Sequence, residues 1–447
     1  MTKISLIGAG SAQFSLRLIT DLCLTPNLAG TEVSFMDVDE SRLSTAMKLC
    51  QRYADALGND LHITATTSRE ESLIEADFVI DTAFPLGNTA LYEGIKIAQK
   101  HGYHYGGSFH IMHDEAFWGN YYQFKFFESL TQDMLDICPD ALHLMVANPV
   151  LAGTTYLQRK YPESNVVGLC HGYGGFHYIA KVMGLDKQYL TYELPGLNHF
   201  IWLTKAFYKG EDFYPLFDDW IANEAETYWE QAMPSDLLSP KAIDLYERFG
   251  ILPIGDTCTP GGGSWPYWYH VDEATEVKWK LGTKNWWDGH FKRILGVPED
   301  NRIIADDMSI DLLEKYSPKK TSEPMIGMIE SMVCDIPRTF IINTLNTGNY
   351  VPGIPQDFEV EIPALVSMRG IQPIQTDGLP PELTAYALRD RVAPVEVELA
   401  AYEQGSKELL LQLILMDPWT KSEDQAKGLL DEILSQPWAE EMREHYK

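Results

Sequence analysis

Short apolar runs alternate with longer segments of mixed polarity in the N-terminal part of the chain. The stretch "KISLIGAGSAQFSLRLITDLCL" predicts a buried strand, a glycine turn and an amphipathic helix with Phe14, Leu18 and Leu22 on one stripe. Further apolar runs are "EVSFMDVD", "LHITATTS", "EADFVIDTAF", "ALHLMVANPV" and "SNVVGLC", with helical patterns such as "FFESLTQDMLDI" between them. This alternation predicts an α/β fold, a Rossmann-like doubly wound parallel sheet.

The glycine turn after the first strand predicts a dinucleotide site. Gly8 permits a tight turn, and Gly10, followed by Ser11, lets the backbone approach a pyrophosphate at the start of the helix. Asp37, near the end of the second strand, stands where an acid binds the ribose hydroxyls of NAD and disfavours the ribose phosphate of NADP. We therefore expect NAD to bind at Gly8, Gly10, Ser11 and Asp37.

The remainder of the chain mixes helices and strands. "SPKAIDLYERFG" predicts a helix, while "RTFIINTLNTG" and "FEVEIPALV" predict strands. We expect a Rossmann-like NAD-binding domain over residues 1–195. Residues 196–447 should form an α+β C-terminal domain that covers the cofactor crevice and carries substrate, metal and oligomer contacts.

Composition narrows the classes of partner. The 447 residues are 45% hydrophobic and carry a formal net charge of -29, which repels nucleic acids and anionic lipids. No apolar stretch approaches the roughly 20 residues that span a bilayer, and "MTKISLIGAG" leaves no room for a signal peptide. The six cysteines include no CxxC pair. We expect a cytoplasmic protein with no nucleic-acid partner and no membrane association.

Two segments bring together residues that could bind a metal. In "VVGLCHGYGG", Cys170 and His171 follow a predicted strand, at the sheet edge where ligands bind. In "LPGLNHFIWL", Asn198 and His199 precede another strand. A thiolate and an imidazole from separate segments suit a metal that keeps open positions for substrate. Taken singly, Cys170 is more typical of a small buried hydrophobe and His199 of a core histidine.

Together with "ANPV" and "LPIGDT", these segments resemble glycoside hydrolase family 4, the NAD-dependent glycosidases, and within it the α-glucosidase and α-glucuronidase branch. The resemblance extends over nearly the whole chain, through "SLIGAGSAQF", "GEDFYPLFDDWI", "DPWTKSEDQ" and "EEMREHYK". It implies that Cys170 and His199 bind a divalent metal, usually manganese, although ligand softness alone favours zinc. It also implies a homodimer or homotetramer.

The resemblance further implies substrate and catalytic residues. Asn148 and His171 match residues that contact the sugar, and Asn198 is a neighbour of the same site. Asp256 matches the acid proposed as the base. Asp114, in "IMHDEAFWGNYYQF", falls where a second active-site aspartate is expected, although a helix N-cap is an equally good interpretation.

In the family mechanism, NAD+ accepts a hydride from C3 of the sugar, which acidifies C2. A metal stabilises the charge that develops while a base removes the C2 proton. Elimination of the glycosidic oxygen, protonated here by Asp114, is followed by addition of water and return of the hydride.

The residues after the Cys-His pair bear on the identity of the sugar. Here Gly172 and Tyr173 follow Cys170 and His171. The phospho-sugar branches of the family replace the histidine of this pair. Because this chain keeps it, we expect a non-phosphorylated α-glycoside as substrate and an α-glucosidase-like activity. An α-glucuronidase or an α-galacturonidase is the alternative. After "GDT" the chain departs from its relatives with "CTPGGGSWPYWYH", whose aromatic side chains could stack on a sugar or pack within a loop.

Two functions of other classes stay open. A 2-hydroxy-acid dehydrogenase shares the cofactor domain and an Asn-Pro strand end, but the chain lacks its Asp-x-x-Arg and His-Gly motifs in the expected order. A non-enzymatic NAD-binding regulator would have the fold without turnover. The chain length and the Cys-His pair also argue against the dehydrogenase, and the joint presence of Cys170, His199 and Asp256 argues against the regulator.

Overall fold

A computed structural model describes residues 2–447, which form one sheet of twelve strands and a small sheet of three. In chain order the strands are β1 (Lys3–Ile7), β2 (Glu32–Met36), β3 (His62–Thr66), β4 (Phe78–Asp81), β5 (Leu142–Met145), β6 (Val166–Gly168), β7 (Leu190–Glu193), β8 (Gly196–Leu197), β9 (Phe200–Leu203), β10 (Lys205–Tyr208), β11 (Glu211–Asp212), β12 (Leu252–Ile254), β13 (Arg338–Leu345), β14 (Glu359–Ser367) and β15 (Gly370–Pro373).

Helices connect and cover these strands. They are α1 (Ala12–Cys23), α2 (Glu40–Ala56), α3 (Arg69–Leu73), α4 (Asn88–Lys100), α5 (Phe117–Ile137), α6 (Val150–Lys160), α7 (Gly174–Val182), α8 (Tyr214–Asn223), α9 (Ala225–Gln231), α10 (Pro240–Phe249), α11 (Glu273–Lys278), α12 (Thr283–Asp306), α13 (Leu312–Lys315), α14 (Met325–Val333), α15 (Pro381–Ala387), α16 (Ala393–Gln404), α17 (Lys407–Leu415), α18 (Glu423–Leu434) and α19 (Glu440–His445).

The first six strands are parallel and lie in the order β3-β2-β1-β4-β5-β6. This is the strand order of the Rossmann fold, with its topological switch point between β1 and β4. The prediction of an α/β, doubly wound parallel sheet is therefore confirmed.

The sheet does not end with the parallel strands. β13 pairs antiparallel with β6, and β14, β8, β9 and β12 continue the sheet beyond it. The predicted boundary at residue 195 thus falls between β7 and β8, and both parts of the chain contribute to one sheet. The division into two domains stays a prediction.

Apart from the edge strand β3, both faces of the parallel region are buried, which is why these strands are nearly continuous apolar runs. Leu6 of β1 and Ile80 of β4 belong to the main core, whereas Ile7 and Val79, the alternate residues, pack in a second core with Leu130 of α5. A third core lies around the small sheet and α7, α8 and α10.

This topology assembles the site. Gly8, Asn148 and Cys170 follow β1, β5 and β6, so they lie at the carboxyl edge of the parallel strands. The β8–β9 hairpin and the end of β12 bring His199 and Asp256 to the same region from the later part of the chain.

Among residues 2–447, no helix has the length and apolar character that crossing a membrane requires.

Candidate active site

The turn between β1 and α1 has the tight geometry that its glycines predict. Gly8 has a φ of +89°, and a Cβ there would lie 2.6 Å from the Ala83 nitrogen. At Gly10 a Cβ would lie 2.6 Å from Asp37 Oδ2, and the Gly10 N–H donates a hydrogen bond of 2.9 Å to that oxygen. Ser11 is the N-cap of α1. These four predicted cofactor residues therefore lie close together at the start of α1.

Two cavities lie along this edge of the sheet. One, of about 310 Å³, is bordered by Gly10 and by α12. The other, of about 150 Å³, lies beyond β4 and β5 and is lined by Thr82, Asp114 and Asn148 among others. Their positions on either side of the switch point correspond to the two halves of a dinucleotide site.

Three candidate metal ligands converge beside this edge. Ligand atoms of Cys170, His199 and Asp256 all lie within 4.8 Å of one another. Cys170 and Asp256 are partly buried and His199 is 5% exposed. A sulfur, a nitrogen and a carboxylate oxygen at this spacing can bind a divalent cation and leave positions open toward solvent.

Backbone geometry fixes two of these residues. His199 lies in the two-residue turn of the β8–β9 hairpin with a φ of +58°, a conformation that costs a residue other than glycine about 1 kcal/mol. Asp256 lies in the turn after β12, which is bound to β9 because Thr257 Oγ1 exchanges two hydrogen bonds of 2.9 Å with the backbone of Ile201. The hairpin and the turn are thus held together.

A close backbone contact brings Asp256 to Cys170. Gly255 has a φ of +56°, and a Cβ there would lie 2.3 Å from the carbonyl oxygen of Gly172. Only glycine permits this approach. Thr259 Oγ1 also donates a hydrogen bond of 2.8 Å to Asp256 Oδ1, which orients the carboxylate.

Behind His199 lies a buried carboxylate that the sequence did not reveal. Glu115 is 1% exposed, and its Oε1 lies 3.1 Å from His199 Nδ1. The Glu115 N–H donates to His113 Nδ1, and His113 Nε2 lies 2.9 Å from the Gly261 carbonyl oxygen, so His113 carries its proton on Nε2. With Nδ1 facing Glu115, His199 presents Nε2 as the free ligand atom.

Electrostatics couple these groups. Burial alone would lower the pKa of His199, but Cys170 and Glu115 hold it well above its usual value. Burial would raise the pKa of Glu115, and the contact with His199 lowers it instead. Burial raises the pKa of Cys170, which its contact with His199 only partly offsets. A cation bound by Cys170 and His199 must displace their protons, so its affinity falls at low pH.

The sequence model of the family 4 glycosyl hydrolases matches residues 3–185, and that of their C-terminal domain matches residues 194–420. The chain belongs to glycosyl hydrolase family 4. The resemblance and the expected class of enzyme, a glycoside hydrolase, are confirmed.

Relatives within family 4 differ in their named activities. An α-glucosidase of Erwinia rhapontici is 27% identical over 98% of each chain. An α-galacturonidase of Thermoanaerobacterium saccharolyticum is 25% identical over 96% of this chain and 94% of its own. A 6-phospho-β-glucosidase of Thermotoga maritima, solved with manganese, NAD+ and glucose-6-phosphate, has the same fold, with a TM-score of 0.74 and 19% identity over all of both chains. NAD and manganese are the cofactors that the sequence led us to expect.

The substrate residues expected for a family 4 enzyme occupy different environments. Asn148 lines the smaller cavity. His171 has a side chain that is 59% exposed, and its Nδ1 lies 4.0 Å from Glu323 Oε2. Asn198 is fully buried, and its Nδ2 donates a hydrogen bond of 3.0 Å to Glu361 Oε2. Asn198 therefore contacts the carboxylates of β14 within the protein.

Asp114 is not a helix cap. α5 begins after Ala116, its N-cap, while Asp114 lies in the preceding loop with Oδ1 3.2 Å from His113 Nδ1. Its side chain is 32% exposed and lines the same cavity as Asn148. The N-cap interpretation is wrong because the helix begins later than the pattern indicated.

The aromatic residues after "GDT" are mostly packed. Trp265 and Tyr269 are 2% exposed, and Trp265 Nε1 donates a hydrogen bond of 2.7 Å to Asp390 Oδ2. Tyr267 is 38% exposed. Trp265 and Tyr269 therefore belong to the core and leave no ring face for a sugar.

Proposed function

We propose that this family 4 enzyme hydrolyses non-phosphorylated α-glycosides, with α-glucosides as the first candidates, and that NAD and a divalent metal such as Mn²⁺ are its cofactors. The convergence of Cys170, His199 and Asp256 carries the proposal, because the two proposed metal ligands and the proposed base lie together at the sheet edge that also bears Gly8 and Gly10. A cytoplasmic location and a homodimer or homotetramer are part of the same proposal.

The residues present fit both cofactors. At Gly8 and Gly10 the backbone can approach a dinucleotide closely, and Asp37 supplies a carboxylate for it. Cys170 and His199 supply a soft and a borderline donor for a divalent cation. When bound, these groups supply hydride exchange with the sugar and Lewis-acid polarisation of its oxygens.

Protein side chains supply the proton transfers in this proposal. Asp256, oriented by Thr259, is the base for the C2 proton. Asp114 borders the cavity of Asn148 and would give a proton to the departing glycosidic oxygen. Glu115 holds His199 with Nε2 toward the cluster.

The charges around the cluster support a neutral sugar. His171 faces Glu323, and the carboxylate of Asp256 lies within 4.8 Å of the Cys170 thiol. A uronate or a phosphate would add another anion near these carboxylates, at a cost in electrostatic energy. This argument favours a glucoside or galactoside over an α-glucuronide or α-galacturonide.

Proton NMR in D2O tests the proposal directly. The protein, with NAD+, Mn²⁺ and a reductant, is incubated separately with an α-glucoside, an α-galactoside, an α-glucuronide and an α-galacturonide. We expect the α-glucoside to be cleaved with deuterium incorporated at C2 of the released sugar. Cys170→Ser is the matched variant, expected to lose both cleavage and exchange while keeping NAD affinity.

Other outcomes of this assay would change the proposed substrate or the proposed mechanism. Exclusive cleavage of an α-galacturonide would replace the neutral sugar by a uronide and keep the mechanism. Cleavage without deuterium at C2 in the presence of freely exchanging solvent would contradict the C2 chemistry. Net NADH formation from a 2-hydroxy acid, without cleavage of any glycoside, would overturn the proposal.

A further inference from the structure

Helix α12 crosses the carboxyl edge of the parallel strands. It contacts α1, α2 and α4, the helices that follow β1, β2 and β4. Phe291 stacks on Tyr92 of α4 with ring centroids 4.6 Å apart. Near its other end, Arg52 of α2 donates hydrogen bonds of 2.9 and 3.0 Å to the carbonyl oxygens of Ile304 and Ala305. α12 is thus fixed on both sides of the edge.

Between α12 and the glycine turn lies the cavity of about 310 Å³. One wall includes Gly10 and Arg42, and the wall on α12 includes Pro298, Asn301 and Arg302. Because Gly10 is bonded to Asp37 at the end of β2, this cavity lies where a Rossmann fold receives the adenosine half of a dinucleotide.

Asn301 is the buried polar group of this cavity wall. Its side chain is 2% exposed, and its Oδ1 is buried without a hydrogen-bond partner among residues 2–447. Buried amide oxygens are rarely left unpaired, because desolvation without a donor is unfavourable. An unpaired oxygen on a cavity wall is expected where a ligand supplies the donor.

We propose that α12 covers the adenosine half of NAD and slows its release, and that Asn301 of α12 binds the cofactor. We call this role of α12 the clasp. The ribose hydroxyls and the adenine amino group are donors that Asn301 Oδ1 can accept. The inference rests on the proposed function for its cofactor, and it adds an element from the later part of the chain to the dinucleotide site.

A clasp suits this reaction, because the cofactor returns to its starting oxidation state in every turnover. Release of the dinucleotide is then no part of the cycle, and slow release carries no penalty in rate. Pro298, inside α12, has no backbone N–H to donate to the preceding turn. Gly296, two residues earlier, has a low helix propensity, so the helix is least stable at this point.

Calorimetric titration of NAD+ into the full-length protein tests Asn301. Asn301→Ala should weaken NAD affinity about three- to tenfold, the range for loss of one hydrogen bond. Lys292→Ala is the matched control, because Lys292 is exposed on the same helix. It should bind NAD like the wild type.

The rate of cofactor release tests the clasp independently. Bound NADH is displaced by excess NAD+ in a stopped-flow instrument, and the loss of its fluorescence is followed. Arg52→Ala removes the bonds to Ile304 and Ala305, so it should raise the release rate about tenfold or more while the association rate changes much less.

The outcomes separate the two proposals. If the wild type binds no NAD, the cofactor of the proposed function fails and the clasp fails with it. If the wild type binds NAD while folded Asn301→Ala and Arg52→Ala match its affinity and release rate, the clasp is overturned and the proposed function stands. Should Asn301→Ala not fold, as judged by circular dichroism, an unchanged release rate in Arg52→Ala overturns the clasp.

Discussion

Replacing Glu115 by Gln should weaken metal binding without removing a metal ligand. Glu115 Oε1 lies 3.1 Å from His199 Nδ1, and both side chains are at least 95% buried, since their exposed fractions are 1% and 5%. A carboxylate in this position fixes the ring and increases the basicity of Nε2. Gln keeps the volume and loses the charge.

Loss of such a partner typically costs 10- to 100-fold in metal affinity, or about 1.4 to 2.8 kcal/mol. We expect the upper part of this range, because water has little access to the contact and a neutral amide can also present its N–H₂ to Nδ1. In that orientation the imidazole proton would move to Nε2, the atom that the metal requires.

Electron paramagnetic resonance measures this affinity directly, since free Mn²⁺ gives a six-line signal that weakens on binding. Glu398→Gln is the matched control, because Glu398 is 2% exposed and lies 3.2 Å from the imidazole of His110, which is not one of the clustered ligands. An Mn²⁺ affinity of Glu115→Gln within twofold of wild type, with the fold intact, would refute the assigned role.

Three further predictions concern other parts of the molecule. Gly10→Ala places a Cβ 2.6 Å from Asp37 Oδ2, so NAD affinity should fall by at least about tenfold in calorimetry while Mn²⁺ affinity stays within twofold. Asp256→Asn should lower kcat about 100-fold or more with NAD affinity unchanged, because it removes the proposed base; an unchanged kcat would exclude that role. Burial raises the pKa of Asp417 from 3.8 to about 6, so the folded state binds the extra proton between those pH values. The free energy of unfolding should therefore fall by about 2 kcal/mol from pH 4 to pH 7 relative to Asp417→Asn, as chemical denaturation measures; equal pH profiles would contradict the shift.

Local patterns were sufficient for the parallel strands and for the glycine turn. Apart from the edge strand β3, these strands are buried on both faces, so their apolar runs are visible without knowledge of their neighbours. β13 and β14 were also predicted as strands, but their pairing was not. Asn343 of β13 lies opposite Gly168 of β6, 175 residues earlier in the chain, and no local pattern specifies such a partner.

The site was predicted where residue type alone indicates chemistry. Cys170 and His199 stand out as candidate ligands, and the structure brings them together. Glu115 was missed because its role depends on a contact with a histidine 84 residues away, although three titratable residues in the run "HDE" offered a signal. Nothing in the sequence indicated a binding role for Asn301, since an asparagine on a largely exposed helix is common.

The pairing of β13 with β6 also bears on how the protein can be divided. A fragment ending at residue 195 would keep the parallel strands but lose β13, which leaves β6 as an open edge with unpaired backbone groups. The two halves of the metal cluster are joined through the same sheet, Cys170 after β6 and His199 beyond β8. Cutting the chain near residue 195 would therefore also separate these two candidate ligands.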